Sequence, residues 1–252
     1  MGRYLVVDQG NTCLKIAIFE GDRIEYCQNF AAPTEQKVID FVTSARRVDA
    51  AIVSTSSEFS FDIVEELERC GIERVEQFSH STPLPIKNLY ATPQTLGLDR
   101  LLSATEAHNK FGGKEVLIID LGTAITIDRL SAEGEFLGGA ISLGLKMRFK
   151  ALSTFTKNLP QLRGGEIDML RANYCEGKIP TTTLEAIFYG VVEGIIHEIR
   201  GYLRENQKKV IYFTGGDALF FEKLIKIPIF VNSQSTLCGL RTIIERLCIE
   251  KL

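Results

Sequence analysis

Three short stretches of the 252-residue chain bring a carboxylate or hydroxyl, glycine and small polar side chains close together. In the first, Asp8-Gln9-Gly10-Asn11-Thr12-Cys13-Leu14-Lys15, an apolar run over 4–7 ends at a carboxylate and a polar turn follows. Gly10 admits backbone angles closed to other residues, so the peptide N–H groups of a tight turn can face an anion. Asn11 and Thr12 add short hydrogen-bonding side chains, and Lys15 adds a compact positive charge suited to phosphate. Asp8 would hold a metal ion, or water bound to one, beside that phosphate. The same residues also fit an ordinary hairpin with a solvated Asp and Lys.

The plan returns 112 residues later, where the apolar run 116–119 ends at Asp120 and Leu121-Gly122-Thr123 follows. A strand ending in an Asp-Gly turn is common, but its recurrence near half the chain length suggests two similarly built domains. Two such hairpins facing one cleft would each bring a carboxylate and turn N–H groups to a phosphate chain. The third stretch, Thr214-Gly215-Gly216-Asp217, carries a strand over 210–213 into a helix. Backbone can approach a nucleotide there, and a helix N-terminus favours anions; a tight turn with no ligand fits equally well. Neither G-x-x-x-x-G-K-[ST] nor G-x-G-x-x-G occurs, so nucleotide binding would use neither a Walker loop nor a dinucleotide fingerprint.

A fourth group, Gly97-Leu98-Asp99-Arg100, falls in the first turns of a helix expected over 94–111, with Leu98, Leu101, Leu102, Thr105 and His108 near one another. Adjacent Asp and Arg point in different directions, so a helix-surface ion pair at four-residue spacing does not explain them. Two solvated charges remain the plain reading of the periodicity.

The elements that must position these groups alternate between strand and helix, which reads as α/β. The opening strand returns over 13–19, and Gly21-Asp22 turns the chain into a further strand over 23–30. Thr34 is the expected N-cap of a helix carrying Val38, Phe41 and Val42, and Ser60 of one carrying Ile63, Val64 and Leu67. Residues 80–93, with Pro83, Pro85 and Pro93, should be extended. Gly112-Gly113 marks the expected boundary between domains 1–113 and 114–252. A helix is expected over 145–155, a loop or short helices over 163–180, and a long helix from Thr182 or Thr183 to about Asn206. Gly190, Gly194 and Gly201 cost that helix ~1 kcal/mol each against Ala. Close approach by another helix or subunit, or a break in the helix, would account for them.

Hydrophobic content of 45%, charged content of 24% and a net charge of −3 describe an ordinary globular chain. They argue against a nucleic-acid-binding or anionic-membrane role. No apolar run approaches the ~20 residues needed to span a bilayer. The chain enters a strand at once, without a leader pattern, so a cytoplasmic protein is expected. The six cysteines are scattered without a C-x-x-C pair, and most are expected to be small buried hydrophobes. No zinc or iron site is assigned, since His80, His108 and His197 stand far apart.

Taken in order, five motifs resemble those of type III pantothenate kinases, within the actin–hexokinase–Hsp70 superfamily. They are residues 8–15, Gly97-Leu98-Asp99-Arg100, Asp120-Leu121-Gly122-Thr123-Ala124, Gly138-Gly139-Ala140-Ile141 and Thr214-Gly215-Gly216. The resemblance spans nearly the whole chain, and the ordered set is specific where each motif alone is weak. It implies two similarly built actin/ribonuclease-H-like domains, with mixed sheets flanked by helices and an active-site cleft between them. It also implies ATP-dependent phosphorylation of the 4′-hydroxyl of pantothenate, the first step towards coenzyme A.

By the same resemblance Asp8, Gln9, Gly10, Asn11, Thr12, Cys13, Leu14 and Lys15 form the first ATP phosphate loop, and Thr123 belongs to the second. Asp120 resembles the ligand of an activating monovalent cation, K⁺ or NH₄⁺, and Mg²⁺ accompanies ATP. Tyr90, Gly97, Leu98, Asp99 and Arg100 resemble the pantothenate-binding residues, with Asp99 the base for the hydroxyl and Arg100 suited to a carboxylate. Thr183 matches a threonine that reaches the substrate from the neighbouring subunit of a homodimer. Thr92, Leu143 and Thr182 depart from residues frequent in the family. A related protein that has lost catalysis, and a kinase acting on a sugar or another small acid, are the rival readings. Retention of Asp8, Lys15, Asp99, Arg100 and Asp120 together argues against the first.

Overall fold

A computed structural model of the protein describes residues 2–10, 13–31, 33–45, 47–55 and 61–249. The chain forms two compact units, residues 1–116 with 128–138 and 234–252, and residues 117–127 with 139–233. The division therefore differs from a single cut at 113/114. The 128–138 hairpin and the C-terminal helix both belong with the N-terminal residues.

In the first unit β1 (Arg3–Gln9), β2 (Leu14–Glu20) and β3 (Arg23–Phe30) form an antiparallel meander. Helix α1 (Glu35–Thr43) leads to β4 (Ala50–Thr55), and α2 (Ile63–Arg69) leads to β5 (Val75–Gln77). The sheet order is β3-β2-β1-β4-β5, with β4 parallel to β1 and β5 parallel to β4. Tyr4 to Val7 of β1 and Ala50 to Val53 of β4 are all buried. Their unbroken apolar runs, without alternation, mark strands covered on both faces. Thr34 caps α1 as expected, its hydroxyl accepting from Lys37 N at 3.4 Å. The Ser60 cap lies outside the described residues; Asp62 caps α2 through Val64 N and Glu65 N at 2.9 and 3.2 Å.

The proline-bearing segment that follows is non-helical over 80–92, with turns and bends around the short strand β6 (Lys87–Asn88), and a single 3₁₀ turn spans Pro93–Thr95. Helix α3 then runs over Leu98–Phe111, with Gly97 as its N-cap. The expected helix from residue 94 is thus broken at Leu96 and Gly97, whose ψ angles of 129° and 130° are extended, and Gly97, costly inside a helix, stands at the N-cap instead. Helix α3 is buried from Arg100 to Ala107, so it is an internal element of its unit.

Next come β7 (Val116–Leu121), β8 (Ala124–Leu130), β9 (Glu135–Leu143), α4 (Leu145–Phe155), α5 (Gly164–Ala172), α6 (Thr183–Glu205), β10 (Val210–Thr214), α7 (Ala218–Ile225) and β11 (Phe230–Val231). The second sheet has the order β11-β10-β7-β8-β9-β6. Reading β7, β8, β9, β10 and β11 as counterparts of β1 to β5, the strand order is the same in both sheets. The duplication suggested by two Asp-x-Gly turns is therefore a duplication of topology. Helix α6 is continuous over 23 residues despite its three glycines. Ile187, Phe188, Val191, Val192, Ile195, Ile196 and Ile199 are buried on one side of it, each worth roughly 1.5–3 kcal/mol on transfer from water. The space a Cβ would fill is open at Gly190 and Gly201, and at Gly194 it meets Arg148 Nη1 at 3.6 Å.

Helix α8 (Ser235–Ile249) closes the first unit by packing on α3, β1 and β4. A Cβ at Gly239 would collide with the Leu102 carbonyl, so the two helix backbones touch because that residue is glycine. None of the six cysteines is buried, contrary to expectation, and none is joined in a disulfide. Cys27 lies on the edge strand β3, Cys175 follows α5 and Cys70 ends α2, places where chain position and not hydrophobicity sets exposure.

Glu106 of α3 is buried, and dehydration raises its carboxyl above the usual range despite Arg241, Lys110 and Asn109 nearby. A carboxyl with a raised native pKa stabilises the fold below its unfolded pKa, and that stability is lost as pH rises through the native value. Glu106→Gln should therefore gain stability over the parent as pH rises from about 4.5 to 8. Urea midpoints of both proteins across that range measure the difference; a constant or shrinking one would contradict the assignment.

Candidate functional site

The antiparallel register of β1 and β2 sets Asp8 directly opposite Lys15 and Gln9 opposite Leu14. Gly10 N donates to Cys13 O at 3.1 Å and closes the turn. Asn11 and Thr12, its two intervening residues, lie outside the described residues. The Asp8 carboxylate accepts from the Thr236 hydroxyl at 2.7 Å, through Oδ2. Dehydration raises the Asp8 pKa above the usual carboxylate range, with the Thr236 bond and Lys15 opposing and the negative charge of Asp99 adding to the rise.

Asp99 stands exposed in the first turn of α3. Its Oδ1 accepts from Arg100 N at 2.9 Å, and a Cβ at Gly97 would fall 2.5 Å from that oxygen. Gly97 thus gives the Asp99 carboxylate room to fold back over the helix start.

Arg100 is buried. Its Nε lies 3.0 and 3.2 Å from the two oxygens of Asp128, and its Nη2 lies 2.5 Å from Oδ1. Dehydration would lower the guanidinium pKa, but the Asp128 bonds and the Tyr90 hydroxyl outweigh it and the net shift is upward. The Arg100 Cζ sits 5.4 Å from the Tyr90 ring centre and 5.7 Å from that of Phe136, within cation–π range. Tyr90 also lies against Gly138, whose φ is +86° and whose Cβ would come 3.0 Å from the ring. The first glycine of the Gly-Gly-Ala-Ile motif therefore provides both a left-handed backbone and a flat seat for Tyr90. Asp128 and Phe136 lie within β8 and β9 and had no signal in the sequence, since an Asp inside a strand is unremarkable without its partner.

In the second unit the turn after Asp120 is closed by Gly122 N to Ala124 O at 3.2 Å, one residue tighter than the first hairpin. Two glycines press on it. A Cβ at Gly215 would collide with Asp120 Oδ1 and the Leu121 backbone, and one at Gly144 with the carbonyls of Gly122 and Thr123. Gly144 N also donates to Thr123 O at 3.1 Å, and Asp217 N to Leu121 O at 3.0 Å. The Thr214-Gly215-Gly216 turn is thus seated on the Asp120 turn. Asp217 is paired with Arg171, whose guanidinium carbon lies 4.8 Å from the Phe220 ring centre. A carboxylate among main-chain carbonyls is an oxygen donor set that suits a hard cation. Thr183 is exposed at the start of α6, whose N-cap is Thr182.

Among the described residues no group of three His, Cys, Asp or Glu side chains could enclose a metal. Mg²⁺ in phosphoryl-transfer sites is held by one or two carboxylates together with the substrate's phosphates. Asp8, with Oδ2 held by Thr236 and its carboxylate partly dehydrated, fits such an ion, because a cation at its other oxygen would offset the cost of the buried charge.

Two sheets of one strand order, each opening with a strand that ends in an Asp-Gly turn, define an α/β kinase fold of the actin and hexokinase type. The activator of the 2-hydroxyisocaproyl-CoA dehydratase from Clostridium difficile, solved with bound ADPNP, shares this fold. Its TM-score is 0.58 at 12% identity, over 99% of this chain and 97% of that one. The sequence profile of type III pantothenate kinase matches residues 4–205. A type III pantothenate kinase of Azobacteroides pseudotrichonymphae is 38% identical over 248 residues, covering 96% of both chains. One of Phocaeicola vulgatus is 36% identical, covering 96% of this chain and 97% of the relative. The chain belongs to the type III pantothenate kinase family, and it is an enzyme of that kinase class.

The buried Arg100–Asp128 pair gives a direct test of how Tyr90 is held. Asp128→Ala leaves a buried guanidinium without its counter-charge and should cost about 3–5 kcal/mol in urea unfolding. A loss below about 1 kcal/mol, the range of exposed pairs, would show the pair to be incidental.

Proposed function

We propose that this protein transfers the γ-phosphoryl group of ATP to the 4′-hydroxyl of pantothenate, with Asp99 accepting the hydroxyl proton. The observation that carries the reading is the placement of Asp99, exposed at the start of α3 in the same compact unit as the strands that carry Asp8 and Lys15. Phosphoryl transfer asks mainly for positioning and charge neutralisation. The hairpin from Asp8 to Lys15 is assigned to the ATP phosphates, Lys15 supplying positive charge and the turn its N–H groups. Mg²⁺, when bound at Asp8, would neutralise further phosphate charge. Thr123 is assigned a second phosphate contact and Asp120 the monovalent cation.

Tyr90, Gly97, Leu98 and Arg100 are assigned to pantothenate. Because Nε and Nη2 of Arg100 are engaged by Asp128, its contribution is to fix Tyr90 and to offer its remaining nitrogen. A weak base such as Asp99 is sufficient when the proton leaves late.

A homodimer is proposed, with Thr183 reaching the neighbouring subunit's substrate. Ile141, Leu143, Met147, Phe155 and Ile179 are large apolar residues left exposed in the second unit, and a chain-to-chain interface would cover such surface. The open faces of Gly190 and Gly201 fit the same interface. We place the protein in the cytoplasm, a reading with which six cysteines outside any disulfide agree. No helix among the described residues is long and apolar enough to cross a membrane.

Asp99→Asn should lower pantothenate-dependent ADP release by about 10²–10⁴-fold while ATP still binds. A coupled ADP assay, run with pantothenate beside a panel of sugars, reads both base and substrate. Turnover at the parent rate in the Asn variant would remove Asp99 from the role. A sugar that replaced pantothenate would reassign the substrate.

A further inference from the structure

The Asp8 carboxylate is held by a residue 228 positions away. Thr236 lies in the first turn of α8, is 7% exposed, and donates its hydroxyl to Asp8 Oδ2 at 2.7 Å. A carboxylate turns about its last torsion over a broad, two-fold well. One short hydrogen bond to a buried donor removes that freedom and leaves Oδ1 as the oxygen that can take a cation or its water.

The donor is itself fixed. Its helix touches α3 backbone to backbone at Gly239 and Leu102, three residues along α3 from Asp99. Helix α8 also packs on β1, the strand that carries Asp8, and on β4 beside it. One helix thus bears on the strand that carries one carboxylate and on the helix that carries the other.

We infer that Thr236 is a positioning residue that orients the Asp8 carboxylate for the divalent cation accompanying ATP. The inference rests on the assignment of Asp8 to the ATP phosphates and Mg²⁺ made above. A structural part in helix capping is a poor alternative, because the hydroxyl is directed across to β1 and not to a backbone N–H of its own helix. The near-isosteric Thr236→Val removes the donor and keeps the volume, whereas Thr236→Ser keeps the donor and loses a methyl group.

The test is calorimetric titration of ATP into the full-length parent and both variants, in EDTA and in Mg²⁺, without pantothenate. In the parent and Thr236→Ser, Mg²⁺ should tighten ATP binding to similar extents. In Thr236→Val that gain should fall by about 10–100-fold, the usual consequence of losing a partner that orients a metal ligand. Binding in EDTA should stay unchanged. In turnover, the Mg²⁺ concentration for half-activation should rise in the Val variant while the KM for pantothenate holds. An unchanged Mg²⁺ gain in Thr236→Val would overturn the inference. So would a Ser variant as impaired as the Val variant, or an equal loss in EDTA. Because the titrations omit pantothenate, a parent that binds ATP with Mg²⁺ but leaves pantothenate untouched would sink the proposed reaction without touching this inference.

Discussion

The structure depends on holding one carboxylate, Asp8, in a partly dehydrated place near the end of β1. Left alone, dehydration drives such a group to bind a proton. Here Lys15, directly across the β1–β2 register, and the Thr236 hydroxyl both work against that outcome. A divalent cation at Asp8 would offset the rest of that cost and bring positive charge to the phosphates of ATP. A site of that kind has reason to bind ATP and metal together.

Around that constraint the chain fixes geometry in two ways. In the first unit side chains do it: Asp128 and Phe136 hold Arg100, and Arg100 and Gly138 hold Tyr90. A buried, forked ion pair beside two aromatic rings has few alternative arrangements, so Tyr90 is held in one place. In the second unit missing side chains do it. Gly144 and Gly215 let carbonyls and a carboxylate of the Asp120 turn come closer than any Cβ would permit. The two units share a strand order, yet one site is built from long-range side-chain pairs and the other from close backbone packing.

That contrast also explains what could be read in advance. The Asp-Gly turns, the strand ends and the limits of α4 and α6 follow from local pattern, and the repeat at 112 residues pointed to duplicated topology. The family motifs located Asp99, Tyr90 and Gly138. Thr236 and Asp128 escaped because their partners lie 228 and 28 residues away and neither sits in a distinctive string. The break before α3 was missed because the extended backbone of Leu96 and Gly97 immediately precedes the periodic run from Leu98, and apolar spacing does not report such a local turn. The sharing of residues 128–138 and 234–252 with the first unit has the same cause: it reflects contacts of Asp128, Phe136 and α8 that no local window contains.

The account turns on which hydroxyl receives the phosphoryl group. Purified protein incubated with ATP, Mg²⁺, K⁺ and pantothenate, followed by phosphorus-coupled proton NMR of the product, decides it. The expected result is one phosphorylated product whose coupling lies at the 4′-methylene of pantothenate, formed in step with ADP. Release of ADP that is indifferent to pantothenate, or phosphorus on any other position, would contradict the account.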